Sequence, residues 1–149
     1  MKKRSHKIQK IVGIAKAEEQ RSSLAAGRAQ QKLDDAVSRL EELNAYRQGY
    51  AEQARQPRHA MAMQWQDHQQ FLGKINDAVR SQQTIVAESE HQLEMHRRQW
   101  TAKRRRLESL VRVVESYRAQ EQVVKDRREQ RETDDMYRQS SDFPRIDDD

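Results

Sequence analysis

The sequence of 149 residues predicts an all-α fold, a long two-helix antiparallel coiled-coil hairpin whose second helix is longer and overhangs the first. Three observations predict it. With 34% hydrophobic and 5% aromatic residues, the chain is too poor in apolar side chains for an ordinary layered core. Its 36% of charged residues and its two prolines favour long helices. Apolar residues also recur at heptad spacing along two long segments, which is typical of a coiled coil.

The first helix is predicted over about residues 5–55. Alternating steps of four and three residues from Ile8 visit thirteen positions up to Tyr50, and ten of these positions are apolar. Such spacing places the visited side chains on one stripe of a helix, here called the seam. The pattern breaks at residues 56–60, because Pro57 lacks an amide donor and keeps the residue before it out of helical geometry. A turn is therefore predicted at 56–60.

The second helix is predicted over about residues 60–138. Its seam runs from Met61 to Val124 through nineteen positions, of which thirteen are apolar. Two long helices joined by a short loop run antiparallel, so residues 1–138 are predicted to form one hairpin domain. Residues 139–149, with a proline and a terminal run of aspartates, are predicted to be a disordered acidic tail.

The stretch "RRQWTAKRRR", residues 97–106, places a tryptophan among six basic residues. Rings set among cations are used to hold single-stranded nucleic acid, so a basic coiled-coil nucleic-acid-binding protein is one alternative. Trp100, however, falls on the seam and is interpreted as packing against the first helix, so no nucleic acid is expected. Residues 97–131 hold twelve Lys or Arg and five Asp or Glu, and a face this basic attracts acidic partners.

Catalytic and metal-binding motifs are absent from the sequence. No two of the five histidines lie four residues apart, and the chain has neither a cysteine nor a glycine-rich phosphate-binding loop. His68 and His96 fall on the seam, where polar residues fix the register of a coiled coil. We therefore expect no enzyme, no metal site and no cofactor.

Membrane signals are also absent from the sequence. No segment approaches the roughly 20 apolar residues that a membrane-spanning helix requires. Lys10 and Lys16 interrupt the apolar residues near the start before a signal-peptide core forms. A soluble protein that reaches a membrane only through a partner is expected.

The difference in length between the two predicted helices leaves part of the second helix unpaired. If the helices pair symmetrically about the turn, the first helix ends opposite Leu110. Beyond that point the second helix carries an apolar stripe, and a solitary helix does not leave such a stripe in water without cost. A partner protein or self-association would cover it. The stripe comprises Val111, Val113, Val114, Tyr117, Val123 and Val124.

A second candidate surface lies near the predicted turn. Tyr46 and Phe71 fall beside the seam on the same flank of the hairpin, and Ala78 and Ile85 continue that flank. Two interpretations stay open, a protein-binding surface and simple edge packing. The seam residues Tyr50 and Trp65 are expected to pack against each other beneath this flank.

Four stretches in this order, "LEELNAYRQGY", "MQWQDHQQFLGKINDAV", "RRQWTAKRRRLESLVRVVE" and "RREQRETDD", resemble the bacterial flagellar export protein family known as FliJ over residues 8–138. The resemblance implies a cytoplasmic component of the flagellar type III export apparatus, peripheral to the inner membrane at the flagellar base. Members resemble the central stalk of rotary ATP synthases, enter and stimulate the ring of the hexameric export ATPase, and link it to the cytoplasmic domain of the export gate. Some members also handle export chaperones.

The resemblance carries the export-gate-binding role over to Leu43, Tyr46, Tyr50, Phe71, Ile75 and Ala78. The apolar stripe and the basic face predict the residues that bind the ATPase, namely Val113, Val114, Tyr117, Val123, Val124, Arg127, Arg128 and Arg131. The stalk protein of a virulence type III secretion system has the same architecture and stays an alternative.

Overall fold

The computed structural model describes residues 3–55 and 62–141. Helix α1 spans Arg4–Ala54 and helix α2 spans Ala62–Ser141, with 51 and 80 residues, and the described part of the chain contains no strand. The predicted all-α hairpin with a longer second helix is confirmed.

Two predicted features lie wholly or partly outside the described residues. The predicted turn at 56–60 and the first seam position of the second helix, Met61, are not among them. Residues 139–141, expected to belong to a disordered tail, form the last part of α2, and residues 142–149 are outside the described range.

Contacts within the chain define two compact units, Glu18–Lys103 and the combination of Met1–Ala17 with Arg104–Asp149. Within Glu18–Lys103, here the central unit, α1 and α2 run antiparallel, because Glu18 contacts Lys103 whereas Tyr50 contacts His68. The buried apolar core of the central unit comprises Ala26, Ala29, Ala36, Ile75, Val79 and Leu93.

The core of the central unit combines small side chains from α1 with larger ones from α2. Ala26, Ala29 and Ala36 lie on α1, whereas Val79, the most deeply buried residue at 2% exposure, and Leu93 lie on α2. Small side chains on one helix let a branched side chain on the other pack into the space between them. The described seam positions of the central unit are buried or half-buried with one exception.

The exception is Trp65, which is 62% exposed. The expected packing of Tyr50 against Trp65 is therefore wrong. Tyr50 instead stacks on His68, with ring centroids 4.3 Å apart. Symmetry about residues 56–60 would place Tyr50 opposite Trp65. Tyr50 lies opposite His68 instead, which is the next seam position along α2.

A buried polar side chain of the seam, Gln82, has its hydrogen-bond partner on the other helix. The amide of Gln82, which is 6% exposed, donates a hydrogen bond of 3.0 Å to the backbone carbonyl of Ala36. Because an unpaired amide at this depth would be costly, this bond explains how a polar residue occupies the seam.

The second unit, here the terminal unit, pairs the start of α1 with the later part of α2. Ser5, Ala15 and Val114 are buried in it. The Ser5 hydroxyl donates to a carboxylate oxygen of Glu121 at 2.7 Å, and the Ser5 backbone amide donates to the other oxygen at 3.3 Å. Since the first amides of a helix have no partner within it, Glu121 of α2 supplies a partner for the start of α1.

This contact corrects the position at which α1 was expected to end. Helix α1 was predicted to run out opposite Leu110, yet its residue Ser5 is paired with Glu121. The unpaired part of α2 therefore starts only after Glu121.

Candidate functional site

Three rings of the central unit form a contiguous cluster, here called the aromatic group and defined as Tyr46, Tyr50 and Phe71. The ring centroids of Tyr46 and Phe71 lie 6.1 Å apart at an interplanar angle of 73°, an edge-to-face arrangement. Those of Tyr50 and Phe71 lie 4.6 Å apart. The predicted proximity of Tyr46 and Phe71 on one flank is confirmed.

The aromatic group is ordered yet accessible. Tyr46 is 57% exposed and Phe71 is 36% exposed, whereas Tyr50 is half-buried between the helices. Large rings left in water beside one another are characteristic of binding surfaces, because they offer much apolar area at little cost in side-chain entropy.

The other predicted gate-binding residues differ in accessibility. Ala78 is exposed and Leu43 is half-buried, whereas Ile75 is only 6% exposed and belongs to the core of the central unit. A partner resting on this surface would therefore touch the rings and Ala78, and Ile75 would support them from beneath.

Trp65 is a further exposed aromatic residue that the heptad pattern did not identify as a surface residue. The seam assignment alone places it inside the hairpin. A seam position near the end of a helix is buried only if the facing helix reaches it, and the pairing of Tyr50 with the later residue His68 leaves Trp65 beyond that contact.

Trp100 lies on the seam as predicted. Its indole Nε1 donates a hydrogen bond of 2.9 Å to the carboxylate of Glu19, and its side chain is half-buried. Lys103, on the next turn of α2, forms an ion pair of 3.1 Å with Glu18. Trp100 and Lys103 are both bonded to carboxylates of α1, so the ring is not presented for stacking on a base. The nucleic-acid alternative therefore rests on net charge alone.

The second candidate surface is residues 122–141 of α2, here called the terminal segment. Every side chain in it is exposed, with Val123 at 49% and Val124 at 64%. Arg127, Arg128 and Arg131, predicted to bind the ATPase, all lie in this fully exposed part of α2.

The predicted ATPase-binding residues before Glu121 have a different environment. Val114 is 7% exposed and Tyr117 is half-buried, because α1 extends alongside this part of α2. Val113 is 39% exposed on the outer side. The apolar stripe expected to be uncovered is therefore partly the core of the terminal unit.

An open groove lies where the start of α1 meets α2 in the terminal unit. Its lining combines the side chains of Tyr117 and Val124 with four cations and one carboxylate. The groove is lined by Lys3, Arg4, Tyr117, Gln120, Glu121, Val124, Lys125 and Arg128.

The pKa of Glu121 in this groove is lowered. The hydrogen bond donated by the Ser5 hydroxyl is the main cause, and desolvation opposes it. The Ser5 backbone amide and the charges of Lys3 and Arg118 lower the pKa further. Glu121 is thus a carboxylate at neutral pH that accepts hydrogen bonds from the start of α1, and the cations that line the groove are exposed.

None of the described helices contains a segment that is both long and apolar enough to cross a membrane. Within residues 3–55 and 62–141, no group of three or more His, Asp or Glu side chains is arranged to hold a metal ion.

Comparison with protein families gives one match, to the family described as flagellar FliJ protein, over residues 4–141. Neither a search of curated proteins nor a search of solved structures returns a significant match. The family match covers nearly the whole chain, including both helices, the aromatic group and the terminal segment, and it favours a flagellar over a virulence system. The chain belongs to the flagellar FliJ protein family, a family of flagellar export components.

Proposed function

We propose that this chain is a non-enzymatic stalk of the flagellar type III export apparatus, which binds and stimulates the hexameric export ATPase and contacts the cytoplasmic domain of the export gate. The observation that carries the proposal is the terminal segment, a stretch of α2 that continues beyond α1 with every side chain exposed. A helix of this kind gains little from packing within its own chain and is suited to insertion into a partner.

Three exposed arginines and two exposed valines of the terminal segment support binding to the ATPase, and five carboxylates balance the five cations of the segment as a whole. Arg127, Arg128 and Arg131 are all exposed, and none of them forms an ion pair within the described residues. These arginines can pair with carboxylates of a partner at short range, and Val123 and Val124 offer apolar area once contact is made.

The aromatic group supports binding to the export gate. Tyr46 and Phe71 hold each other in place while both remain accessible, so little side-chain entropy is lost when a partner covers them. A few residues carry most of the binding energy at protein interfaces, and tyrosine is enriched among them. The gate would thereby hold this cytoplasmic chain at the inner membrane at the flagellar base, where it would also meet export chaperones.

The test measures ATP hydrolysis by the purified export ATPase with the full chain and with a chain that ends at Lys125. This truncation keeps Val114, Tyr117 and Glu121, and hence the contacts that hold the start of α1. The full chain should stimulate hydrolysis, and the truncated chain should lose at least about nine-tenths of the stimulation, which corresponds to about 1.4 kcal/mol of lost interaction.

Circular dichroism serves as the control, because the truncated chain should melt at nearly the same temperature as the full chain. Equal stimulation by the two chains would exclude residues 126–141 of the terminal segment as the ATPase-binding part. No stimulation by the full chain would contradict the proposed function itself.

A further inference from the structure

The start of α1 carries positive charge and no negative charge. Residues 3–17 contain five Lys or Arg side chains and neither Asp nor Glu. All five cations are exposed, and none of them forms an ion pair within residues 3–55 and 62–141. A surface with unbalanced positive charge attracts an anionic partner. The five cations are Lys3, Arg4, Lys7, Lys10 and Lys16.

Three of these lysines lie on the side of α1 that faces away from α2. Steps of four and three residues from Lys3 visit Lys7, Lys10 and Ile14, whereas the seam positions of the same stretch are buried or half-buried. Ile14 is 63% exposed, and Ile11, on the adjoining flank, is 44% exposed. This side of α1 therefore combines lysines with isoleucines. We call it the outer face and define it as Lys3, Lys7, Lys10, Ile11 and Ile14.

The part of α2 that packs on this stretch keeps its carboxylates away from the outer face. Over residues 104–118, the two flanks of α2 that adjoin α1 consist of arginines and valines alone. Glu108 and Glu115 occupy positions further from α1, and Glu121 accepts hydrogen bonds from Ser5. No carboxylate of these flanks therefore offsets the lysines. The flank residues are Arg104, Arg106, Val111, Val113 and Arg118.

The chemistry of the outer face favours an anionic phospholipid bilayer over an acidic protein. The groove at the start of α1 is lined by Lys3 and Arg4 but by neither isoleucine of the outer face. A protein partner holds an anchoring side chain in a packed pocket, whereas a fluid bilayer conforms to a convex helix and accepts apolar side chains between its headgroups. Nucleic acid offers no apolar site to Ile14, and the outer face has no aromatic ring on which a base could stack.

We propose that the outer face binds the surface of membranes that contain anionic phospholipids, with its lysines at the phosphates and its isoleucines between the headgroups. Each lysine near an anionic surface strengthens binding about fivefold. A few lysines and two shallow isoleucines give weak, reversible binding. The chain would thereby reach a membrane directly as well as through the export gate.

The first experiment measures binding of the purified full chain to vesicles by co-sedimentation. Vesicles of phosphatidylglycerol and phosphatidylcholine in equal parts should bind the chain at least about a hundredfold more tightly than vesicles of phosphatidylcholine alone. Binding should weaken as salt rises, because the attraction is ionic. Equal binding to both kinds of vesicle, or binding to neither, overturns the proposal. Neither the export ATPase nor the export gate is present, so the outcome is independent of the proposed function.

A matched pair of variants tests whether the outer face makes the contact. Lys7→Gln with Lys10→Gln should weaken binding to the anionic vesicles about 25-fold, since two contributions of about fivefold are lost. Arg105→Gln with Arg112→Gln removes the same charge from exposed positions of α2 in the same unit, on the side away from α1, and should change binding less than about threefold. Equal losses would assign binding to net charge and overturn the proposal.

The second experiment tests insertion of the isoleucines. The chain contains no cysteine, so Ile14→Cys and, as a control, Ala119→Cys on the outer side of α2 can each carry an environment-sensitive fluorophore. Anionic vesicles should shift the emission of the probe at residue 14 to shorter wavelength, and spin-labelled lipids should quench it, while the probe at residue 119 stays unchanged. Bound vesicles with an unchanged probe at residue 14 overturn the proposal.

A protein partner for the same face gives a different result. The Lys7→Gln, Lys10→Gln chain would then lose affinity for the export ATPase, and the unaltered chain would not bind anionic vesicles. That combination would assign the outer face to an acidic protein and overturn the proposal.

Discussion

The aromatic group and the terminal segment are two surfaces of one helical chain with opposite chemistry. Tyr46 and Phe71 are neutral rings fixed against each other at 6.1 Å, beside a buried core. Arg127, Arg128 and Arg131 are cations on a stretch of helix with no buried side chain. The difference teaches that one helical chain supports two modes of binding, according to whether a second helix packs alongside.

The two modes have different physical signatures. Preformed rings bind through apolar area that depends little on ionic strength. Exposed arginines attract an acidic partner over a distance, and salt screens that attraction within about 10 Å at 0.1 M. The following predictions separate the two modes, from the largest expected effect to the smallest.

The change Ile75→Ala removes a side chain from the core beneath the aromatic group. Because Ile75 is 6% exposed, the change should destabilise the chain by about 2–5 kcal/mol. Ile85→Ala is the matched control, since Ile85 is 47% exposed on the same helix and its truncation should cost less than about 1 kcal/mol. Thermal melting followed by circular dichroism measures both. Equal losses would mean that Ile75 does not belong to the core.

Changing both Tyr46 and Phe71 to Ala should weaken binding to the cytoplasmic domain of the export gate at least about a hundredfold, or roughly 2.7 kcal/mol. Stability should fall by only about 1 kcal/mol, because both rings are partly in water already. ATPase stimulation and helicity should survive, and motility should fall. Titration calorimetry with the gate domain measures the affinity.

Tyr137→Ala is the control for the aromatic pair, since Tyr137 is an equally large ring at 77% exposure in the terminal segment. Gate affinity should be unaffected by it. A double variant that melted much earlier and lost both partners together would show that the aromatic group is structural.

Replacing Arg127, Arg128 and Arg131 with Glu should lower the affinity for the export ATPase at least about tenfold, or roughly 1.4 kcal/mol, at low salt. The difference from the unaltered chain should shrink as salt rises, whereas gate binding should change little over the same range. Surface plasmon resonance across a salt series measures both affinities.

Arg21, Arg28 and Arg39 changed to Glu form the control for this charge reversal, because they are exposed arginines of α1 in the central unit. If this variant lost ATPase affinity equally, net charge rather than the terminal segment would determine binding.

The smallest predicted effect concerns the Glu121 contact in the terminal unit. Folding lowers the pKa of Glu121 from 4.5, so its contribution to stability is present above that value and is lost as pH falls through the lowered pKa. Melting temperatures measured from pH 7 down to pH 3 should therefore fall less in Glu121→Gln than in the unaltered chain. Identical pH profiles would show that the Ser5–Glu121 contact does not persist in solution.

The sequence alone was sufficient to determine the helices and the seam. Steps of four and three residues from Ile8 to Tyr50 visit only buried or half-buried positions, and those from His68 to Glu121 do the same. The proximity of Tyr46 and Phe71 was predictable for the same reason. Heptad spacing is a local property of each helix, so it can be recognised without knowing what the other helix does.

Only the tertiary structure decided how far the two helices slide along each other. The pairing of Ser5 with Glu121 moved the end of α1 beyond Leu110 and placed Val114 in the core, while the pairing of Tyr50 with His68 left Trp65 exposed. Heptad spacing repeats every seven residues and therefore allows several registers. Contacts between the two helices, such as Ser5–Glu121 and Tyr50–His68, select one register, and they join residues far apart in the chain.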